Sequence, residues 1–81
     1  HKCNEGDKDR LTCMVCNIWW EAAGEPFEGQ VAVGGTVMSR LYSNAYTRYG
    51  DTVCKQIWGD WQYSWTEPSV RNPADLVLPN D

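Results

Sequence analysis

The 81-residue chain has one histidine, His1, at its first position, and that scarcity removes several chemistries at once. Ser-His-Asp and Cys-His catalytic arrangements need an internal imidazole as base, and none is available. A zinc site built on histidine is equally unsupported. Cys13-x-x-Cys16 has no second Cys-x-x-Cys to complete a four-cysteine site, because Cys3 and Cys54 stand alone. There is no basic run, and the formal charge is −4. Nucleic-acid binding is therefore not expected, since its affinity depends on Lys and Arg neutralising phosphates. No apolar run approaches the ~20 residues of a membrane-spanning helix, and phosphate-cradling glycine loops are missing. No metal or organic cofactor is indicated. No signal peptide precedes His1, which fits a removed leader or an excised piece of a longer protein.

What is present is a small chain in need of staples. A domain of this size buries a limited fraction of its surface, so apolar burial barely offsets the entropy of ordering. Cys3, Cys13, Cys16 and Cys54 make an even count, which points to two disulfides and an oxidising compartment: secreted, periplasmic or cell-wall associated. Of the three connectivities, Cys3–Cys13 with Cys16–Cys54 is the preferred expectation. Five Trp and four Tyr against one Phe suit partly wet clefts and sugar-binding walls, although such residues also serve as core.

Residues 1–8 read as a polar arm held by Cys3. Leu11, Val15, Ile18 and Ala22 recur at helical spacing and predict a first helix over about residues 9–23, capped by Asp7 or Asp9 and ended at Gly24. Cys13 and Cys16 then face away from the main seam. Glu21 falls roughly 80° from the direction of Leu11, at the edge of the expected buried stripe. Pro26 suits the first position of a second helix reaching about Tyr42, with Phe27, Val31, Val33, Val37, Met38 and Leu41 as its apolar face. Gly29, Gly34 and Gly35 on it suggest close crossing of the two helices, with the bend at 24–26 gathering Glu21, Glu25 and Glu28. After a tyrosine-rich loop over 43–50, Asp51 or Thr52 caps a short third helix through Val53, Ile57 and Trp58, stopped by Gly59. Trp61 to Thr66 alternates aromatic and polar residues, the pattern of a short strand. The segment from Glu67 to Asp81 carries three of the four prolines and reads as an extended tail. The fold class expected is α+β and mainly helical: one small disulfide-stapled domain over 1–81 with a short strand or hairpin segment.

A general acid needs a carboxyl group whose pKa is raised by desolvation. Glu21, beside Trp19, Trp20 and Phe27, has that setting, although a helix-end glutamate on the surface would show the same pattern. Glu25 and Glu28 favour the positive N-terminus of the second helix. Gln62 and Ser64 can hydrogen-bond a polar substrate or satisfy backbone groups. Arg40 can pair with any of these acids.

The block Glu21-Ala22-Ala23-Gly24-Glu25-Pro26-Phe27-Glu28-Gly29-Gln30-Val31-Ala32-Val33, on through Ser39-Arg40, is followed by Asp51-Thr52-Val53 and then Gln62-Tyr63-Ser64-Trp65. Together these resemble the cell wall hydrolases of the spore-cortex-lytic (SleB-type) family. The resemblance runs from about Leu11 to Thr66. It implies a lysozyme-like domain that cleaves peptidoglycan glycan strands between N-acetylmuramic acid and N-acetylglucosamine, as a lytic transglycosylase or a hydrolytic muramidase, with Glu21 as the acid. Glu25, Trp61, Gln62, Tyr63, Ser64, Trp65, Tyr46 and Tyr49 are the residues expected along the glycan, and the chain is expected to act as a monomer. Ala23, Ser39 and Tyr63 depart from the family's usual arginine, asparagine and phenylalanine, and members commonly continue into a further helix. A disulfide-stapled module that holds glycan without cutting it is the alternative from another class. Bacterial remodelling, germination and phage lysis are all compatible origins.

Overall fold

The computed structural model describes residues 1–43, 50–59, 63–66 and 77–78, and they form three helices with one short turn. α1 spans Arg10–Ala22, α2 Phe27–Tyr42 and α3 Val53–Trp58. Each starts where a local signal places it. The Asp9 carboxylate accepts from the Thr12 backbone N–H and from its hydroxyl, both at 2.9 Å, which satisfies an otherwise orphaned donor at the start of α1. Pro26 is the N-cap of α2 rather than its first helical residue, and its carbonyl accepts from Gly29 N at 2.9 Å. The Thr52 hydroxyl accepts from Lys55 N at 3.1 Å to start α3, and Gly59 ends it. Just before α3, Gly50 has φ +138°, and a Cβ there would fall 2.2 Å from Lys55 Cβ, so only glycine fits.

The three helices pack on one another around a core of Cys3, Cys13, Cys16, Val37, Val53, Cys54, Ile57, Tyr63 and Trp65. α1 and α2 cross at Gly34, as expected: a Cβ there would lie 3.5 Å from Ile18 and 3.7 Å from Met14. Gly35 instead faces open space and Gly29 faces its own neighbour Glu25.

Four expectations are corrected. The first turns of α1 bury the cysteine face: Cys13, Cys16 and Asn17 are buried, whereas of the expected stripe Leu11 is 68% and Val15 44% exposed and only Ala22 is buried. The reason is covalent as well as apolar, because both α1 cysteines are anchored to other segments and so turn their side of the helix inward. On α2 the core takes Val37, while Phe27 and Val31 remain exposed. The pairing is also different, Cys3–Cys16 and Cys13–Cys54, with Cα–Cα distances of 6.1 and 5.3 Å. Cys13 and Cys16 sit one turn apart on one face, and α3 docks over the first while the N-terminal arm docks over the second. Finally, the expected strand at 61–66 is, over its described part, a 3-10 turn at Ser64–Thr66. The Thr66 hydroxyl donates to Tyr63 O at 2.7 Å and its N–H to the same oxygen at 3.0 Å, closing the turn. Tyr63 and Trp65 are nonetheless buried and Ser64 exposed, as the alternation expects, whereas Thr66 is buried against it.

The arm is held by more than Cys3. Lys2 forms an antiparallel bridge with Val77, Leu78 N donates to His1 O at 2.9 Å, and His1 Nε2 lies 2.9 Å from Asp7 Oδ2. The rest of the expected tail lies outside the described residues. No helix among the described residues is long and apolar enough to cross a membrane.

Candidate active site

Glu21 stands in the last turn of α1, at the margin between the buried face and solvent. It is four residues, about 40° round the helix, from the fully buried Asn17. Glu21 is exposed as a residue, yet partial burial of its carboxyl group raises the pKa above the ordinary glutamate value. Desolvation disfavours the charged form, so the proton is held to higher pH than on a free glutamate.

Beside it lies an aromatic and polar cluster that joins the end of the chain's described core to α1. The Trp65 indole N–H donates to Asn17 Oδ1 at 2.8 Å, across 48 residues of sequence. That donor fixes the orientation of the Asn17 amide, leaving Nδ2 as its second polar atom. The Trp20 and Trp65 rings stack at 6.5 Å with an interplanar angle of 28°, and Trp58 meets Trp65 edge-on at 5.0 Å. Arg40, from α2, sets its guanidinium carbon 5.6 Å from the Tyr63 ring centroid, within cation–π range. Burial pushes the Tyr63 phenol pKa up, the Arg40 charge pulls it down, and the Glu21 charge pushes it up again. Glu21, Arg40 and Tyr63 therefore share one electrostatic neighbourhood built from α1, α2 and the 63–66 turn.

Of the residues expected at the site, the structure brings Glu21, Tyr63 and Trp65 together. Trp65 is only 7% exposed and makes part of the floor. Ser64 is exposed on the adjoining turn. Glu25 is exposed and lies against Gly29, with its backbone carbonyl accepting from Gln30 Nε2 at 3.2 Å. Trp61, Gln62, Tyr46 and Tyr49 lie outside the described residues. Asn17 was not anticipated; its signal was a lone amide one turn before the acid, on a helix whose other inward positions are apolar or cysteine. Arg40 faces the Tyr63 ring, a partner that charge matching alone would not suggest.

Among the described residues, one group of ligand-type side chains lies apart from this site. His1, Asp7 and Cys16 bring ligand-type atoms within 4.8 Å of one another, but the Cys16 sulfur is bonded to Cys3 and offers no thiolate. Two open hollows, of about 460 and 740 Å³, lie against the N-terminal arm and α3 and against the Leu11 end of α1; neither is lined by Glu21.

Residues 24–77, about two thirds of the chain, match the family described as Cell Wall Hydrolase, a stretch that holds Arg40, Tyr63 and Trp65 and begins just after Glu21. No curated protein and no solved structure matches the chain.

Proposed function

The chain belongs to the cell wall hydrolase family, and on that premise we propose that it cleaves the glycan strands of peptidoglycan between N-acetylmuramic acid and N-acetylglucosamine, with Glu21 as its catalytic acid and base. The observation that carries this reading is the setting of Glu21: an exposed glutamate whose carboxyl pKa is raised by partial burial, beside Tyr63 and the stacked Trp20 and Trp65 rings. Such a group is still protonated where an ordinary glutamate has ionised, which is the requirement for a general acid.

The chemistry proposed is lytic transglycosylation. Glu21 gives its proton to the glycosidic oxygen as the bond from that oxygen to the muramoyl C1 breaks. The leaving N-acetylglucosamine keeps the oxygen as its 4-hydroxyl. The substrate's own acetamido group supports the positive charge at C1, a substrate-assisted departure from the two-carboxylate scheme. The muramoyl 6-hydroxyl then attacks C1, and its proton passes to the Glu21 carboxylate, restoring the acid. No water is consumed, one carboxyl group serves both half-steps, and the products are a 1,6-anhydromuramoyl end and a free 4-hydroxyl. An enzyme of this kind works outside the membrane at the wall, where the two disulfides persist.

The test is mass spectrometry of soluble products released from purified peptidoglycan. Wild-type chain should release anhydromuramoyl products, and Glu21→Gln should lose about 10²-fold or more of the rate while keeping its melting temperature. The rate should fall as pH rises through the raised Glu21 pKa, because only the protonated form can begin the reaction. Reducing muramoyl ends would replace transglycosylation by hydrolysis, and no release by a folded wild-type chain would refute cleavage.

A further inference from the structure

Three buried polar atoms in the cluster beside Glu21 have no hydrogen-bond partner among the described residues: Asn17 Nδ2, Trp20 Nε1 and the Tyr63 hydroxyl. Native structures rarely leave buried polar groups unmatched, and where they do so together a further group commonly supplies the partner. The shortage here has one sign. The amide N–H₂ and the indole N–H can only donate, and the phenol is faced by the donors of Asn17 and Arg40, neither reaching full hydrogen-bond geometry. What the cluster wants is an acceptor. The residues concerned are not surface groups with easy access to water: Asn17 is 0% and Tyr63 8% exposed.

With donors set behind its oxygen, the Tyr63 hydroxyl has its own hydrogen left to give. The Glu21 carboxylate is near enough to act on the phenol through its charge but does not accept from it. A sugar placed for protonation by Glu21 would carry its substituents into this same neighbourhood. Among those of an N-acetylated hexosamine, the acetamido carbonyl is the strongest neutral acceptor, and its methyl group suits the ring surfaces of Trp20 and Tyr63.

We propose that the Tyr63 hydroxyl, backed by Asn17 and Arg40, donates a hydrogen bond to the acetamido carbonyl oxygen of the sugar held against Glu21, making Tyr63 the determinant of N-acetyl recognition. The proposal rests on the glycan-cleaving reading of the site and adds a specificity residue to it. The hydroxyl is shut off from solvent in the free chain, so the acetamido group reaches it as the surrounding side chains part, and the bond then forms away from competing water. A site built to hydrogen-bond one substituent discriminates strongly against a substrate that lacks it, because the donor is again left unmatched.

The experiment measures binding rather than turnover, in the Glu21→Gln background, with two probes: a tetrasaccharide of alternating N-acetylglucosamine and N-acetylmuramic acid, and the same tetrasaccharide chemically de-N-acetylated. The Glu21→Gln chain should bind the acetylated probe at least about tenfold more tightly. Adding Tyr63→Phe should erase about tenfold of that preference, leave affinity for the de-N-acetylated probe unchanged, and leave the melting temperature equal or higher, since the change removes an unmatched hydroxyl without altering the ring. A preference untouched by Tyr63→Phe overturns the proposal. Equal weakening toward both probes also overturns it, assigning the acceptor to an enclosed water that shapes the cleft. The cleavage reading stands or falls separately, on whether wild-type chain releases products from peptidoglycan.

Discussion

Over its first turns α1 buries one side and exposes the other, although Ile18 and Ala22 on the exposed side are packed further along. On one side Cys13 and Cys16 are 1% exposed and Asn17 is 0% exposed, tied by two disulfides and one buried hydrogen bond to the arm, to α3 and to the 63–66 turn. On the other, Leu11 and Val15 point into solvent at 68% and 44% exposure, and Trp19 at 37%. Apolar character alone did not choose the inward face. In the first turns the side with covalent long-range partners lies inward, and the candidate acid stands near its border, where partial burial raises its pKa.

The comparison breaks most completely at the staples. In the chain-entropy account the Cys13–Cys54 link, closing 41 residues, contributes about 4 kcal/mol, and Cys3–Cys16, closing 13, about 3 kcal/mol. Replacing Cys13 and Cys54 by alanine should therefore cost more in denaturant unfolding than replacing Cys3 and Cys16, and full reduction should unfold the chain. If the shorter link proves the more important, native contacts of the arm outweigh loop closure. A smaller effect sharpens the contrast between faces. Ile57→Ala, in the core against the stapled side, should cost about 3 kcal/mol, whereas Leu11→Ala should stay within about 0.5 kcal/mol; comparable losses would mean that the Leu11 side is covered in solution. The smallest effect concerns Asp9. Its hydrogen bonds to Thr12 hold its carboxyl below the ordinary aspartate pKa, so the cap's contribution is complete above the unfolded pKa and is lost as pH falls through the folded one. Asp9→Asn should keep most of the cap and flatten that acid-side decline in melting temperature.

Much of the helical framework was legible from residue order. Apolar spacing located α1, the Thr52 hydroxyl and Gly59 bounded α3, and Gly34 marked the helix crossing. The inward face of α1 was not legible, because Leu11 and Val15 look like core to any reading that weighs hydrophobicity without knowing where Cys3 and Cys54 arrive. The pairing was hidden for the same reason: Cys13 and Cys16 are equivalent until the arm and α3 are placed. At 63–66 the pattern correctly placed Tyr63 and Trp65 inside and Ser64 outside, but it failed at Thr66, which is buried where it closes a turn rather than continuing a strand. Glu21 was singled out by its neighbours in sequence. Asn17 escaped because its partner, Trp65, lies far along the chain, and Arg40, expected to pair with an acid, was not matched to Tyr63 for the same reason.

The order of the cysteines has a consequence for damage. The two links interleave, since Cys13 lies inside the span from Cys3 to Cys16 while Cys54 lies outside it. A protease that nicked the backbone between Cys13 and Cys16 would leave two pieces joined by both bonds, and a nick anywhere from Asn17 to Val53 would still leave them joined by one. A nick between Cys3 and Cys13 is bridged by Cys3–Cys16, so anywhere between the first and last cysteine Glu21 and Tyr63 would stay in one covalent body after a single cut.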